Sequence, residues 1–155
     1  MHPKLVAEVQ DLYINQISKV LTNATCRFAY TIRTFDEQNS LYAQGRTKLF
    51  DINNNRLGIV TNAKGGQSFH NYGLALDIVL LNGTAASWDT IRDFDGDGEA
   101  DWMEVVDIFK DAGWTWGASW GDKPHFEKTF GYTWQDLLLK HNNKDFIEGT
   151  SFVNI

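Results

Sequence analysis

Two short segments of the sequence contain the residue types that bind a metal ion and use it in catalysis. The first contains His70 and Asp77, and the second, much later in the chain, contains Asp122 and His125. Two imidazoles and one carboxylate form a ligand set that suits a catalytic Zn2+ with one open coordination position. We therefore predict His70, Asp77 and His125 as metal ligands. Asp122 is then a candidate to take the proton of an attacking water, so the pattern indicates a hydrolase.

The spacing of the first two candidate ligands requires a bend in the chain. His70 and Asp77 are seven positions apart, so in one continuous strand they would point to opposite faces. Gly73 permits a bend that leaves His70 on a loop and Asp77 inside a strand, where Ala75 shares its face and leaves room for an ion. A carboxylate in the apolar run 74–81 is costly unless it is paired or coordinated. The alternative is a hydrogen-bonded His-Asp pair that only stabilises the loop.

A second cluster of acidic residues lies in residues 93–104. It has acids at positions 1, 3, 5, 9 and 12 and a glycine at position 6, which is the pattern of an EF-hand calcium loop. These like charges would repel one another without a cation, so we predict a calcium site that fixes the loop rather than performs chemistry. The alternative is a solvated acidic turn before a helix, since no clear helix precedes the loop. The candidate ligands are Asp93, Asp95, Asp97, Glu99 through its carbonyl, Asp101 and Glu104.

The periodicity of the sequence predicts the elements that position these residues. Apolar residues at helical spacing, with a capping box that opens at Thr34, favour helices over 3–21, 35–42, 101–112 and 133–140. Alternating or short apolar runs favour strands over 26–34, 74–81, 114–116 and 124–127. The run 74–81 is apolar enough to be expected to be buried on both faces. Residues 46–67 are rich in Asn and Gly and are expected to be irregular. This order predicts an α+β fold with a small, mainly antiparallel sheet flanked by helices, in one domain over residues 1–155.

Composition excludes several classes of function. The net charge is -6, and no Lys and Arg cluster suits a nucleic-acid backbone. No apolar run is long enough to span a membrane, and the N-terminal residues do not read as a signal peptide. We therefore expect a protein that is made in the cytoplasm and released, or an exported one whose signal or anchor has been removed. The single Cys26 cannot form an internal disulfide, and we expect a monomer.

The two segments around the candidate ligands resemble a known enzyme family. The pattern Ser-x-His-x-x-Gly-x-Ala-x-Asp in residues 68–77, followed by Asp-x-Pro-His-Phe in residues 122–126, is similar to zinc peptidases. These include D-Ala-D-Ala carboxypeptidases of the vancomycin-resistance type and L-alanyl-D-glutamate endopeptidases of phage lysins and bacilli. The resemblance covers residues 25–130 and leaves the tail 130–155 unassigned. It continues through residues 33–34, 37–38, 41–47, 60–63 and 101–105.

The resemblance implies a zinc peptidase that cuts a bond in the stem peptide of bacterial peptidoglycan. By position, His70, Asp77 and His125 would bind zinc and Asp122 would activate the water. Arg33 would face the substrate carbonyl or carboxylate, and the residues lining the site would be Gln38 and Ser68.

Two further residues are candidates beside these. Glu127 is an alternative base, although it shares a strand face with His125 and could instead orient that ligand. Trp120 is a candidate to hold part of a cell-wall fragment.

Several functions remain open at this level. The segments 41–46 and 70–75 look more like the L-alanyl-D-glutamate endopeptidases than the D-alanyl-D-alanine carboxypeptidases or dipeptidases, so we favour the first. A catalytically inactive wall-binding domain would keep the fold and the metal. A calcium-regulated interaction module would use the acidic loop as a sensor. The residues alone do not reveal which bond is cut.

Overall fold

A small antiparallel sheet carries two of the three predicted zinc ligands. In the computed structural model, which describes residues 1–155, the strands are β1 (Thr25–Tyr30), β2 (Ala75–Asn82), β3 (Ala85–Ser87), β4 (Thr115–Trp116) and β5 (His125–Glu127). They follow the order β1-β2-β5-β4, and β3 pairs with β2. All strand pairs are antiparallel, so the predicted α+β class with a small antiparallel sheet is confirmed.

The helices lie close to their predicted positions. The N-terminal helix continues as a π-helical turn at Tyr13–Ile17, and short 3-10 turns that were not predicted occur at Phe69–Tyr72 and Gly117–Trp120. None of the helices combines the length and apolar character needed to span a membrane. The α-helices are α1 (Pro3–Leu12), α2 (Ser18–Val20), α3 (Phe35–Ala43), α4 (Asp101–Asp111) and α5 (Trp134–Asn142).

The chain divides into two compact units. The first contains Met1–Thr31 and Leu74–Lys128, and the second contains Ile32–Gly73 and Thr129–Ile155. The whole sheet therefore belongs to the first unit, together with α1 and α4. The expectation of one domain over residues 1–155 stays a prediction.

The core of the first unit lies on one face of the sheet. Leu76, Ile78 and Leu80 alternate along β2 and are fully buried, whereas Asp77 and Val79 on the other face are only half-buried. The expectation that this run is buried on both faces was therefore wrong. In this antiparallel sheet only one face is packed on the core, and the other remains available for a polar site.

Two helices cover that core with apolar faces. The buried residues Leu5, Val9 and Leu12 recur at helical spacing on α1. On α4, Phe109 is fully buried, and its ring lies 4.9 Å from the ring of Phe126 in β5. The strand that carries His125 is thus anchored in the core through its next residue. Because successive strand side chains point to opposite faces, His125 itself points away from the core.

The second unit contains α3, α5 and the irregular segment between α3 and the 3-10 turn at Phe69–Tyr72. The Phe35 ring lies 6.0 Å from the Tyr72 ring and 4.6 Å from the His141 ring, which joins α3 to that turn and to α5. The expected irregular structure of residues 46–67 is present apart from isolated bridges. The tail 130–155, unassigned from the sequence, forms α5 and a bridge between Phe146 and Val153.

The first strand is shorter than predicted. β1 ends at Tyr30, with a register irregularity between Phe28 and Tyr30, and Arg33 lies beyond it. The backbone N–H of Arg33 donates to the carbonyl oxygen of His70 at 3.0 Å. Arg33 is therefore held by the turn that carries His70 rather than by the sheet ladder.

Candidate active site and metal centre

Strand pairing places Asp77 and His125 side by side. The two residues are direct partners in the antiparallel register of β2 and β5. Side chains of directly opposed residues lie on the same face of a sheet, and the Asp77 Oδ1 to His125 Nδ1 distance is 3.4 Å. On its other side Asp77 is paired with Tyr30 of β1. A central position in the sheet thus fixes this carboxylate from both sides.

His70 is presented by a 3-10 turn that ends at a bend. The turn spans Phe69–Tyr72, and Gly73 follows it with a left-handed φ of 69°. A residue with a Cβ is strained in that conformation, which explains why glycine suits the position. The carbonyl of His70 accepts hydrogen bonds from Arg33 N–H at 3.0 Å and from Gly73 N–H at 3.2 Å. The predicted bend at Gly73 is confirmed.

The ligand atoms of the three predicted metal ligands converge. One atom from each of His70, Asp77 and His125 lies within 4.8 Å of the other two, and both imidazoles are buried. Two neutral imidazoles and one carboxylate are the kind of donor set that Zn2+ accepts in catalytic sites. The residues present therefore form a His-Asp-His group that fits a metal ion.

Two carboxylates give the centre a negative potential. Glu127 Oε2 lies 2.9 Å from His125 Nε2, on the side of the ring opposite Asp77. Burial lowers the pKa of His125, but the hydrogen bonds and charges of Asp77 and Glu127 outweigh that effect and raise the pKa to about 9. The same two carboxylates favour a cation at the imidazole. Because His125 Nε2 contacts Glu127, the other ring nitrogen, Nδ1, faces Asp77 in the ligand group.

The segment between β4 and β5 forms a tight turn beside His125. Asp122 N–H donates to the Gly117 carbonyl at 3.0 Å, and His125 N–H donates to the Asp122 carbonyl at 3.2 Å. A Cβ on Gly117 would overlap the Asp122 carbonyl oxygen and lie 3.0 Å from the His125 Cβ. Glycine is therefore required for this close approach. Asp122 is exposed at the entrance to β5, three residues before the predicted ligand His125.

Trp120 lies at the end of the same turn. Its side chain is 54% exposed, and its ring centroid is 6.0 Å from that of His125 at a steep angle. Trp116, in contrast, is held by a hydrogen bond from its indole N–H to the Lys123 carbonyl at 2.6 Å and stacks on Phe126. Of these tryptophans, Trp120 presents the free aromatic surface next to the ligand group.

Arg33 is oriented by a fully buried glutamine. Its Nη1 donates to Gln38 Oε1 at 2.9 Å, and Gln38 Nε2 donates to the Ala63 carbonyl at 2.8 Å. Gln38 has no exposed surface, so the structure places it behind the guanidinium as a positioning residue. Its contact with substrate stays a prediction, as does that of Ser68, which is half-buried immediately before the 3-10 turn.

Asn71 is a supporting residue that the sequence reasoning missed. Its Nδ2 donates to the Arg33 carbonyl at 2.9 Å, and its Oδ1 accepts from Gly66 N–H at 2.9 Å. Asn71 therefore ties the turn carrying His70 to the backbone of Arg33. Its position directly after His70 was the only signal available, and a side chain that bonds only to backbone leaves no periodic pattern.

The acidic loop forms a second group of potential metal ligands. Carboxylate oxygens of Asp93, Asp95 and Asp101 lie within 4.8 Å of one another. Burial raises the pKa of the Glu104 carboxyl to about 7, and the charges of Asp97, Asp101, Asp95 and Glu99 add to that rise. The carboxylates of Asp97, Glu99 and Glu104 lie outside this converging group, and the predicted role of the Glu99 carbonyl stays a prediction. Asp97 Oδ1 accepts from Glu99 N–H at 2.9 Å.

Comparison with known proteins finds similarity to peptidases of one family. The sequence of residues 61–128 matches the family described as D-alanyl-D-alanine carboxypeptidase. The curated protein named peptidoglycan L-alanyl-D-glutamate endopeptidase CwlK, from Bacillus subtilis (strain 168), is 46% identical over 99 residues. Residues 61–128 are thus similar to this peptidase family. The resemblance predicted from the two segments is thus confirmed.

The extent of these matches differs along the chain. The alignment with CwlK covers 61% of this chain and 55% of CwlK, so the chain spans about half the length of that relative. The crystal structure of the L-Ala D-Glu endopeptidase ChiX from Serratia marcescens has a TM-score of 0.50 and 20% sequence identity. The structural alignment covers 84% of this chain and 81% of the ChiX chain, and it shows that the two share a fold.

The family match includes the candidate metal centre. His70, Asp77, Asp122 and His125 all lie inside residues 61–128, whereas Arg33 lies before them. The assignment of Arg33 therefore depends on the sequence resemblance and on its contacts with His70 and Gln38.

Proposed function

We propose that this chain is a zinc peptidase that hydrolyses the L-alanyl-D-glutamate bond in the stem peptide of bacterial peptidoglycan. The observation that carries the proposal is the convergence of His70, Asp77 and His125 within 4.8 Å, inside the segment that matches the peptidase family. The similarity to CwlK supports the choice of bond. Residues 1–155 act as one peptidase domain on the cell wall, as a monomer.

The three converging residues hold the metal ion. His70 and His125 bind through imidazole nitrogens and Asp77 through a carboxylate oxygen, and the ion is Zn2+. When bound, zinc lowers the pKa of water toward neutrality and polarises a carbonyl group. The negative potential from Asp77 and Glu127 favours retention of the cation. The acidic loop around Asp101 takes part in no step of this reaction, and we expect it to hold a different cation, Ca2+.

Asp122 is the general base and acid of the reaction. Its carboxylate takes a proton from the attacking water and returns it to the amine that leaves when the peptide bond breaks. The turn closed by Gly117 holds its backbone against His125. Asp122 is exposed in the turn before β5, where substrate can reach its side chain.

Arg33 stabilises negative charge on the substrate. A guanidinium held in place before the reaction offers donors to the oxygen on which charge develops. Its hydrogen bond to the buried Gln38 fixes the group without neutralising its charge. Trp120 offers an exposed aromatic face for the bound cell-wall fragment, and Ser68 offers a hydroxyl beside the turn that carries His70.

Digestion of purified peptidoglycan tests this function directly. The zinc-loaded protein should release peptides with a new N-terminal glutamyl residue, which mass spectrometry of the fragments will detect. The matched control is Asp111→Asn, which removes an exposed carboxylate on α4. Release of D-alanine alone would instead assign a D-alanyl-D-alanine carboxypeptidase, the activity in the family description. No product from zinc-loaded protein would contradict both and support a non-catalytic domain.

Replacing Glu127 by glutamine should weaken zinc binding about 10- to 100-fold, which is the usual effect of losing a residue that orients a metal ligand. Loss of the Glu127 charge reduces the negative potential at the metal centre. It also weakens the contact between residue 127 and His125 Nε2 that orients the imidazole. Titration with a competing zinc chelator measures the affinity, and hydrolysis at saturating zinc should recover most of the rate. A variant that stays inactive at full zinc occupancy would identify Glu127 as the base.

A further inference from the structure

The acidic loop contains a buried carboxylate that lacks part of its expected hydrogen bonding. Asp101 is fully buried at the first position of α4. Its Oδ2 accepts from Phe94 N–H at 2.7 Å, but its Oδ1 is buried with no hydrogen-bond partner. Leaving a buried charged oxygen unpaired is costly. A carboxylate oxygen of Asp101 converges with those of Asp93 and Asp95 within 4.8 Å, so a cation bound by these three residues would supply the partner that Oδ1 lacks.

A second carboxylate with an unsatisfied, buried oxygen lies on the same helix. Glu104 Oε2 is also buried with no hydrogen-bond partner. Residues three positions apart lie on one face of a helix, so Glu104 and Asp101 project from the same side of the first turn of α4. Two buried carboxylate oxygens without hydrogen-bond partners, beside two further acids, form a group that a bound cation would satisfy.

We propose that residues 93–104 form a Ca2+ site whose carboxylate ligands are Asp93, Asp95, Asp101 and Glu104. Carboxylate oxygens are the hard donors that Ca2+ selects, and its flexible coordination tolerates an irregular loop, whereas Mg2+ demands near-octahedral geometry. The site differs from the EF-hand pattern in two respects. No helix precedes Asp93, and Asp101 lies within the ligand group itself rather than acting through water.

The bound ion would connect three parts of the first unit. Asp95 Oδ2 accepts a hydrogen bond from Thr22 Oγ1 at 2.8 Å, which ties the loop to the segment before β1. Asp101 begins α4, and further along that helix Phe109 packs on Phe126 between the two site residues of β5. Calcium therefore stabilises the packing behind His125 without contacting substrate. A ligand at 100 times its Kd should raise Tm by about 5–10 °C in a domain of this size.

Calcium titration of the whole zinc-loaded chain tests the site. The protein is dialysed into calcium-free buffer, its zinc content is verified, and Ca2+ and Mg2+ are added separately. Isothermal titration should give one Ca2+ per chain and weaker Mg2+ binding, and thermal unfolding should show the rise in Tm with Ca2+. Terbium should bind at the same place and luminesce on excitation of the adjacent Trp102. Absence of both calcium binding and a Tm rise would overturn the proposal.

Matched variants locate the ion. Asp101→Asn and Glu104→Gln should lose the calcium response, whereas Asp111→Asn, on the same helix, should keep it. In calcium-free buffer Glu104→Gln should be at least as stable as the wild type, because one repelling charge is gone, so loss of response will not reflect misfolding. A full calcium response in both loop variants would overturn the proposal. His125→Ala should lose zinc and keep calcium, which separates this site from the proposed peptidase centre; loss of calcium as well would contradict it.

Discussion

His70→Ala should remove zinc from the chain and reduce hydrolysis of peptidoglycan to background. The substitution deletes one of the three ligands that converge within 4.8 Å. Loss of a residue that only orients a ligand lowers metal affinity about 10- to 100-fold. Removal of a ligand itself should therefore lower zinc affinity by more than that. Zinc content by inductively coupled plasma mass spectrometry and release of glutamyl peptides measure the two effects. Added zinc should not restore activity at concentrations that saturate the wild type.

The substitution of His70 leaves the backbone contacts of this residue in place. The hydrogen bonds that the His70 carbonyl oxygen accepts from Arg33 and Gly73 do not involve the imidazole and persist in the alanine variant. Circular dichroism should therefore show an unchanged fold. His141→Phe is the matched control, because it removes an imidazole from α5 and keeps an aromatic ring against Phe35. Full zinc occupancy in His70→Ala, or zinc loss in His141→Phe, would show that the ligand set is wrong.

Periodic elements of the fold could be predicted because local chemistry and burial agree there. The apolar stripe of α1 and the capping box at Thr34 each specify a helix from neighbouring residues alone. The structure begins α3 directly after Thr34, whose side chain accepts from Glu37 N–H. A short apolar run also located β2, although only its even-numbered residues from Leu76 to Leu80 are fully buried.

Elements fixed by distant contacts could not be predicted in the same way. The end of β1 depends on an irregularity in its pairing with β2 and on the hydrogen bond between Arg33 and His70. β3 is three residues long and exists through its pairing with β2. Neither feature has a signature in its own residues, since each depends on which backbone lies opposite.

The same distinction holds for the candidate site. His70, Asp77 and His125 were named from residue type and spacing, and the structure brings their ligand atoms together. The strand register places Asp77 opposite His125, and this register is a property of strand pairing that no single segment contains. The supporting contacts of Gln38 and Asn71 were likewise invisible, because their partners lie far away in the sequence.

Asp122→Asn should lower kcat by about 10²- to 10⁴-fold, the range for loss of a general acid-base group, while zinc stays bound. Asparagine keeps the size of the side chain and the backbone bonds that link residue 122 to Gly117 and His125. It cannot take the proton from water or return it to the leaving amine. Kinetics on a defined stem peptide, with zinc measured on the same samples, separates catalysis from metal loss.

Comparison with Glu127→Gln decides which carboxylate moves the proton. Glu127 is half-buried and lies 2.9 Å from His125, whereas Asp122 is exposed in the turn that precedes β5. The base should therefore be Asp122, and its variant should remain slow at any zinc concentration, while Glu127→Gln recovers as zinc is added. The reverse pattern, an active Asp122→Asn and an inactive, zinc-loaded Glu127→Gln, would exchange the two roles. Asp111→Asn should match the wild type in both measurements, because its carboxylate lies on the exposed face of α4.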